Sequence, residues 1–439
     1  MNVLILDEEI PYPLNSGKRI RTYSLLKYLA ASVNITYLCR LHENLEKPYT
    51  QALERIGIEP VVVSDPIRKK SGCKFYLSLL GNLFSKYPYV VSSHRSRKLV
   101  KAIRRITAEQ RFDLIHCEWT PYAVNLQALL PYPSVVVAHN VESLVWRRQY
   151  EVEGNFLKKM YIYLQWKKME QFERKAFSLF NRCIAVSERD RDNIAQWVPR
   201  DQIDVVANGV DVDFFKPLRT PGKQHSLVFT GALDWRPNVD SMLYFLDKIW
   251  PQILHSYPDA SFTVVGRNPL GILKDRVANA RSVALTGTVE DVRPYIEKAT
   301  AYVVPLRVGS GSRLKILEAF SMCKPVVSTS IGAEGLEVVP DRDLLIADEP
   351  ESFARAIMRL FEDASLRQKL GSSGRIVVEK QYQWKHLAKQ LKNVWSRVIG
   401  CQKVIGMPQR QRGKEISRSH SLQGEHKKSV NSQPAILSF

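Results

Sequence analysis

The sequence predicts an α/β protein made of two doubly wound parallel-sheet domains facing across a cleft. Three observations carry this. Short, nearly continuous apolar runs alternate with helical patterns along the chain, as strands buried on both faces do. The alternation occurs twice, on either side of a Pro- and Gly-containing junction. The length, 439 residues with 45% hydrophobic and 25% charged, suits two or three cores rather than one.

In the first half the strand candidates are 3–6, 33–38, 60–63, 113–117, 134–139 and 183–187. Amphipathic segments such as 21–30 and 98–110 lie between them, and 155–180 reads as a long packed helix. The second half offers strands at 226–231, 261–266, 282–287, 301–305, 325–329 and 344–347, three of them ending in Gly. The stretch 203–225 carries Gly209, Pro217, Pro221 and Gly222 and no long period, so it reads as the junction. The domain boundaries follow: 1–205, a linker 206–225, 226–380, an amphipathic helix within 381–399, and a basic tail 400–439 expected to be disordered. Ligands of open α/β sheets bind outside the carboxyl ends of the strands, which places the expected site in the cleft.

Charge and cysteine content narrow the function classes. The 64 Lys and Arg against 44 Asp and Glu give a net charge of +20, which points to a polyanionic partner or a phosphorylated ligand. The six cysteines form no Cys-x-x-Cys pair, so zinc ribbons and dithiol redox motifs lack support. Scattered single thiols fit a reducing compartment. The start, MNVLILDEEI, turns acidic too soon for a signal peptide, and no run reaches the length of a membrane span. The expectation is a cytoplasmic protein, with attachment to the inner face of a membrane as an addition. Nucleic acid is not an expected partner, because zinc spacing, an RNA-binding aromatic signature and a basic helix array are all missing. Segment 68–105 sets aromatic and aliphatic residues between basic clusters, a composition suited to an anionic lipid surface.

The most informative segment is AYVVPLRVGSGSRLKILEAFSM at 301–322. A strand runs into a Gly/Ser loop and then a helix. Gly309 and Gly311 let backbone amides approach an anion, and the helix N-terminus adds partial positive charge. Arg313 and Lys315 place full cations there, against the helix dipole, so they call for a compensating anion such as a diphosphate. Glu318, one and a half turns in, is placed to accept from a ribose diol. The plain alternative is a glycine turn with a surface Lys–Glu pair.

The chain resembles the retaining glycosyltransferases of family four, which share the two-domain, Rossmann-like GT-B fold. NSGKRIRTYSLLKYL after the first strand, AHNVES, AVSERDRDNI, NGVDVDFFKP, FTGALDWRPNVD, GTVEDV and SRLKILEAF carry the likeness, in order and at family spacing. The resemblance covers residues 1–398 and implies site roles. Gly17 brings a first-domain loop to the donor diphosphate. His139 faces the transferred sugar and the leaving phosphate. Val289 meets the nucleobase through its backbone, and Glu318 binds the ribose. Ser310, Gly311 and Leu314 belong to the donor loop and helix start. The pattern departs where the first of two family glutamates is replaced by Ser310, a usual Arg by Ala232 and a usual Lys by Pro237. Phosphate neutralisation then rests on Arg236, Arg313 and Lys315. His116 and Glu118, at the end of the strand DLIHC, are weaker candidates, either for contacting the acceptor or as a buried hydrogen-bonding pair.

The expected chemistry is hexosyl transfer with retention from a nucleotide-diphosphate sugar to a hydroxyl of a lipid-linked or glycan acceptor, in surface polysaccharide or glycolipid assembly. No cofactor and no metal are expected. Three Asp-x-Asp triplets (190–192, 211–213, 341–343) exist, but none directly follows an apolar strand. A non-catalytic membrane- or glycan-binding relative, and a nucleotide-sugar epimerase on the same fold, are the alternatives.

Overall fold

The computed structural model describes residues 1–40, 47–66, 72–126, 132–218, 220–308 and 313–406. Two wholly parallel sheets organise them. The first contains β1 (Asn2–Leu6), β2 (Asn34–Arg40), β3 (Glu59–Val63), β4 (Leu114–Cys117), β5 (Ser134–Ala138), β6 (Arg182–Ala185) and β7 (Ile203–Val205), in the order β3-β2-β1-β4-β5-β6-β7. The second contains β8 (Ser226–Thr230), β9 (Ser261–Val265), β10 (Val283–Leu285), β11 (Ala301–Val304), β12 (Val326–Ser328) and β13 (Leu345–Ile346), ordered β10-β9-β8-β11-β12-β13.

Alternation along β1 explains why its run is continuously apolar. Val3 and Ile5 join the core on one face of the first sheet, Leu4 and Leu6 the core on the other. The Leu4 face is covered by helices Arg97–Glu109 and Phe156–Leu179. The Val3 face is covered by helix Gly17–Leu29 and by the helix Trp384–Gly406, which returns from the far end of the chain. Leu387, Leu391, Val394, Trp395 and Val398 of that returning helix are all buried there. The second sheet is sandwiched likewise, with Leu227 and Phe229 on one face and Val228 on the other.

Two differences from the sequence reading have local causes. Residues 203–205, taken into the junction, pair with β6 as the sheet's edge. Their three-residue length and central Asp204 hide the strand signal. The final helix runs through Gly406, into the segment expected to be irregular. Residues 407–439, Arg68 to Lys70 and the loop residues Gly309, Ser310, Gly311 and Ser312 lie outside the described residues.

Candidate functional site

Both sheets end at the cleft, and each contributes a cluster. On the first-domain side the centre is Glu118, just after β4. One carboxylate oxygen accepts from His116 Nε2 at 2.6 Å. The other accepts from the Thr22 hydroxyl at 2.9 Å and lies 3.2 Å from His139 Nε2. His116 Nδ1 accepts in turn from the Trp395 indole N–H at 3.1 Å. With Nδ1 occupied as an acceptor, the neutral His116 ring carries its proton on Nε2, facing Glu118. Burial raises the cost of charge on Glu118, yet the hydrogen bond from His116 and the neighbouring His139 outweigh it and hold the carboxyl well below its ordinary range. His139, at the end of β5, is the member of this cluster that reaches toward the cleft, with 11% of its side chain exposed.

Of the two readings of His116 and Glu118, the geometry matches the buried hydrogen-bonding pair. Both are buried and both are fully engaged with protein partners, so neither presents a free group to an acceptor. They support His139 from beneath.

Beside them lies a cation that the sequence reading did not single out. Lys18 pairs with Asp7 at 2.5 Å and with Glu8 at 3.4 Å, below the loop after β1. Burial opposes its charge, but the two carboxylates outweigh burial and hold the ammonium above its ordinary range. The available signal was the Lys following Gly17, together with the acidic DEE run that follows β1.

The second-domain cluster is built on the helix Leu314–Ser321, whose N-cap position is Arg313. Lys315 donates to the Asn238 amide oxygen at 2.9 Å and lies 4.0 Å from the Phe229 ring centroid. Gly231, after β8, makes this possible: a Cβ there would stand 3.1 Å from the Lys315 ammonium and 2.8 Å from the Asn238 amide nitrogen. Glu318 follows one turn later, and its carboxylate makes no hydrogen bond or ion pair among the described residues. Lys315 and Glu318 sit deep in the protein, each with part of its surface open. Burial, with Arg313 adding repulsion, pulls Lys315 down to about 7, and burial pushes Glu318 up to about 7. Arg313 is buried, donates to the Ile331 carbonyl at 3.3 Å and is pulled down to about 10 by burial.

Gly17 and Leu314 bring the two halves together. A Cβ on Gly17 would lie 3.2 Å from Leu314 Cδ1, and Leu314 packs against the cores of both domains. Farther along the cleft, Arg148 donates both terminal nitrogens to Glu334 at 3.0 and 2.8 Å, and Arg189 joins at 2.7 Å. These arginines belong to the first domain and the carboxylate to the second. A pocket of about 290 Å³ opens there, lined by Arg148, Val152, Arg189, Arg307, Ser330 and Glu334 among others.

Two other expected donor contacts lie in the second domain. Arg236 begins the helix Arg236–Tyr244 and is exposed, with no ion pair among the described residues. Asn238, two residues on, is the one that turns inward to Lys315. Val289 is half-buried against the second domain's core. Ser310 and Gly311 lie outside the described residues. Among the described residues no group of three His, Cys, Asp or Glu stands close enough to hold a metal ion.

Comparison with known proteins agrees with this architecture. The family described as "Glycosyltransferase Family 4" matches residues 47–214, and "Glycosyl transferases group 1" matches 224–363. A Klebsiella pneumoniae protein described as an uncharacterized 44.6 kDa protein in the cps region is 23% identical over 87% of this chain and 96% of its own. A human phosphatidylinositol N-acetylglucosaminyltransferase chain is 25% identical over 52% of this chain, and 48% of the human protein is covered. Among solved structures, a sucrose-phosphate synthase from Thermosynechococcus elongatus superposes with TM-score 0.69 at 16% identity, covering 91% of this chain and 99% of its own. Anabaena HepE in complex with UDP-glucose gives TM-score 0.63 at 15% identity, over 90% and 100%. Two family matches, one in each domain and together spanning well over half of the chain, on a GT-B fold, place the chain: it belongs to the group 1 glycosyltransferases of family 4.

Proposed function

We propose that this glycosyltransferase moves a hexose from a nucleoside-diphosphate sugar to a hydroxyl acceptor with retention, in the assembly of a surface polysaccharide or glycolipid. The observation that carries the donor reading is the pair Lys315 and Glu318. A deep-set cation and a deep-set carboxylate, the latter without a hydrogen-bond partner among the described residues, share one helix face beside Gly231. A diphosphate is the complement of Lys315 and Arg313, and a ribose diol is the complement of Glu318. The HepE structure holds UDP-glucose and the pneumococcal O-GlcNAc transferase GtfA holds UDP and GlcNAc on the same fold, which supports a nucleotide-sugar donor. A lipid-linked acceptor is supported by the relatives named for phosphatidylinositol substrates, the human protein and a Corynebacterium glutamicum mannosyltransferase.

The roles follow from chemistry. Lys315 and Arg313 take the charge that develops on the departing diphosphate, which a preorganised cation does without reorganisation. Gly17 leaves room for the diphosphate at the first domain's helix start; Ser310 and Gly311, expected in the donor loop, lie outside the described residues. Val289 meets the base through its backbone. His139, held by Glu118, faces the sugar and the leaving phosphate. The family resemblance implies a displacement on one face of the sugar, with the leaving phosphate oxygen accepting the acceptor's proton as the new glycosidic bond forms and the bond to the diphosphate breaks. Fixed protein charge takes the part that a divalent cation plays elsewhere, and no metal is required. A thermal-shift screen of nucleotide sugars identifies the donor, since a bound ligand stabilises by mass action. Proton NMR of the product's anomeric centre then tests retention. An inverted product overturns the front-face reading.

A further inference from the structure

The first domain carries an apolar face that folding leaves uncovered. The helix Cys73–Asn82 turns Phe75, Ser78 and Asn82 inward. Phe75 packs edge-on against Tyr89 at 5.7 Å, and Asn82 accepts from Gln165 at 3.1 Å. The opposite stripe is Tyr76, Leu77, Leu80 and Phe84, all exposed, with Phe84 at 93%. That stripe has helical spacing but no polar residue, the reverse of a solvent-facing surface. A second helix continues the face. Phe156–Leu179 is joined to the first through Gln165, which also accepts from the Tyr89 amide at 2.7 Å, and through Lys168, which donates to the carbonyls of Asn82 and Leu83 at 2.8 and 2.9 Å. Its first turns expose Phe156, Leu157 and Met160, with Leu157 at 78%. Exposed apolar patches of this kind mark interaction sites.

The charge pattern selects the occupant. From 66 to 108 the chain contains eleven Lys and Arg and no acidic residue. From 154 to 169 it contains four Lys and none acidic. Acid-free, cation-rich stretches around aromatic and aliphatic side chains match an anionic bilayer surface, where the rings enter the headgroup layer and the ammonium groups stay in the phosphate plane. No helix among the described residues is long and apolar enough to cross a membrane, so the contact is interfacial.

We propose that this two-helix face docks the protein onto anionic lipid. The placement has a consequence for the cleft. Val152, which lines the pocket between the domains, ends the helix Glu142–Val152, and Phe156 begins the docking helix four residues later. An acceptor anchored in the same bilayer therefore meets the cleft along this edge, a consequence that rests on the glycosyl-transfer reading above. Docking itself does not.

The test uses the full chain, vesicles of phosphatidylcholine alone or with phosphatidylglycerol, and co-flotation without donor or acceptor. The wild type is expected to float with the anionic vesicles and to be released by high salt. The surface variant Leu77→Gln/Phe84→Gln/Leu157→Gln, with unchanged circular dichroism and Tm, should lose roughly tenfold or more in partitioning, since each large apolar side chain withdrawn from an interface is worth on the order of tenfold. Wild-type protein that stays with neither vesicle, or a variant that floats equally, overturns the proposal. So does a concentration-dependent dimer that the variant abolishes without any vesicle binding, which would assign the face to a second copy.

Discussion

The indole N–H of Trp395 donates to Nδ1 of His116 at 3.1 Å, joining residues 279 apart in sequence. Through His116 and Glu118 this contact reaches His139, so the helix Trp384–Gly406 helps to set a ring at the cleft. Trp395→Phe keeps much of the packing and leaves His116 Nδ1 without its donor. A buried acceptor left unsatisfied costs about 1–3 kcal/mol, readable by urea denaturation. Glu118→Gln should be non-additive with it, because both act on one network. Additive losses would mean that the contacts are independent packing.

Binding of a nucleoside diphosphate should move protons in opposite directions on the two sides of neutrality. Lys315, lowered to about 7, is mostly neutral at pH 8, and a bound diphosphate recharges it. Glu318, raised to about 7, is mostly protonated at pH 6, and a ribose diol favours its carboxylate. Calorimetry in buffers of different ionisation enthalpy should give uptake of about one proton at pH 8 and release of about one at pH 6. No buffer dependence at either pH would remove these two side chains from the binding site.

The same pair shapes the stability of the empty protein. Between about pH 4.5 and 7 the native state keeps the Glu318 proton that the unfolded chain has lost, so this group's contribution falls as pH rises. Between about 7 and 10.5 the unfolded chain holds the Lys315 proton that the native state lacks, so stability is regained as pH rises. Lys315→Met/Glu318→Gln should therefore stabilise the protein most near pH 7. The check is the difference in denaturation midpoint from wild type across pH 5 to 9; a flat difference would contradict the assignment.

Gly17 and Leu314 give a steric test of the contact between domains. A Cβ at 3.2 Å from a leucine methyl needs only a small shift, so Gly17→Ala should be nearly silent in stability. Gly17→Leu wedges the contact apart and should weaken donor binding roughly tenfold or more, since overpacking a tight contact costs about 1–3 kcal/mol. Titration of the same nucleoside diphosphate into both variants checks it; equal affinity in wild type and Gly17→Leu would place the donor away from this contact.

Much of this was legible in the sequence because it is local. β1, β8 and β11 announce themselves as apolar runs, and a glycine turn followed by RLK at a helix start shows itself without a fold. Lys315 and Glu318 fall one turn apart by helical spacing alone. What was not legible depends on distant partners. Nothing near Trp395 distinguishes a ring that meets His116 from one that only fills the core. Asn238 could not be seen as the partner of Lys315, because the helices Arg236–Tyr244 and Leu314–Ser321 meet only in the folded second domain. Glu118 could not be settled as an acceptor contact or a buried pair, because sequence gives the strand end but not the depth at which His116, Thr22 and His139 enclose it. The exposed stripe of 76, 77, 80 and 84 needed the packing of Phe75 on Tyr89 to show which face turns outward.

The most direct measurement of the central claim is calorimetric titration of UDP and GDP into the full chain in excess EDTA, with Lys315→Met and Glu318→Gln alongside. One nucleotide should bind the wild type without metal. Losing a charge-assisted contact of about 1.5–3 kcal/mol should weaken that nucleotide roughly 10- to 150-fold in each variant. Binding that appears only when Mg²⁺ or Mn²⁺ is restored, or that is equally tight in both variants, would contradict a protein-built donor site on Lys315 and Glu318.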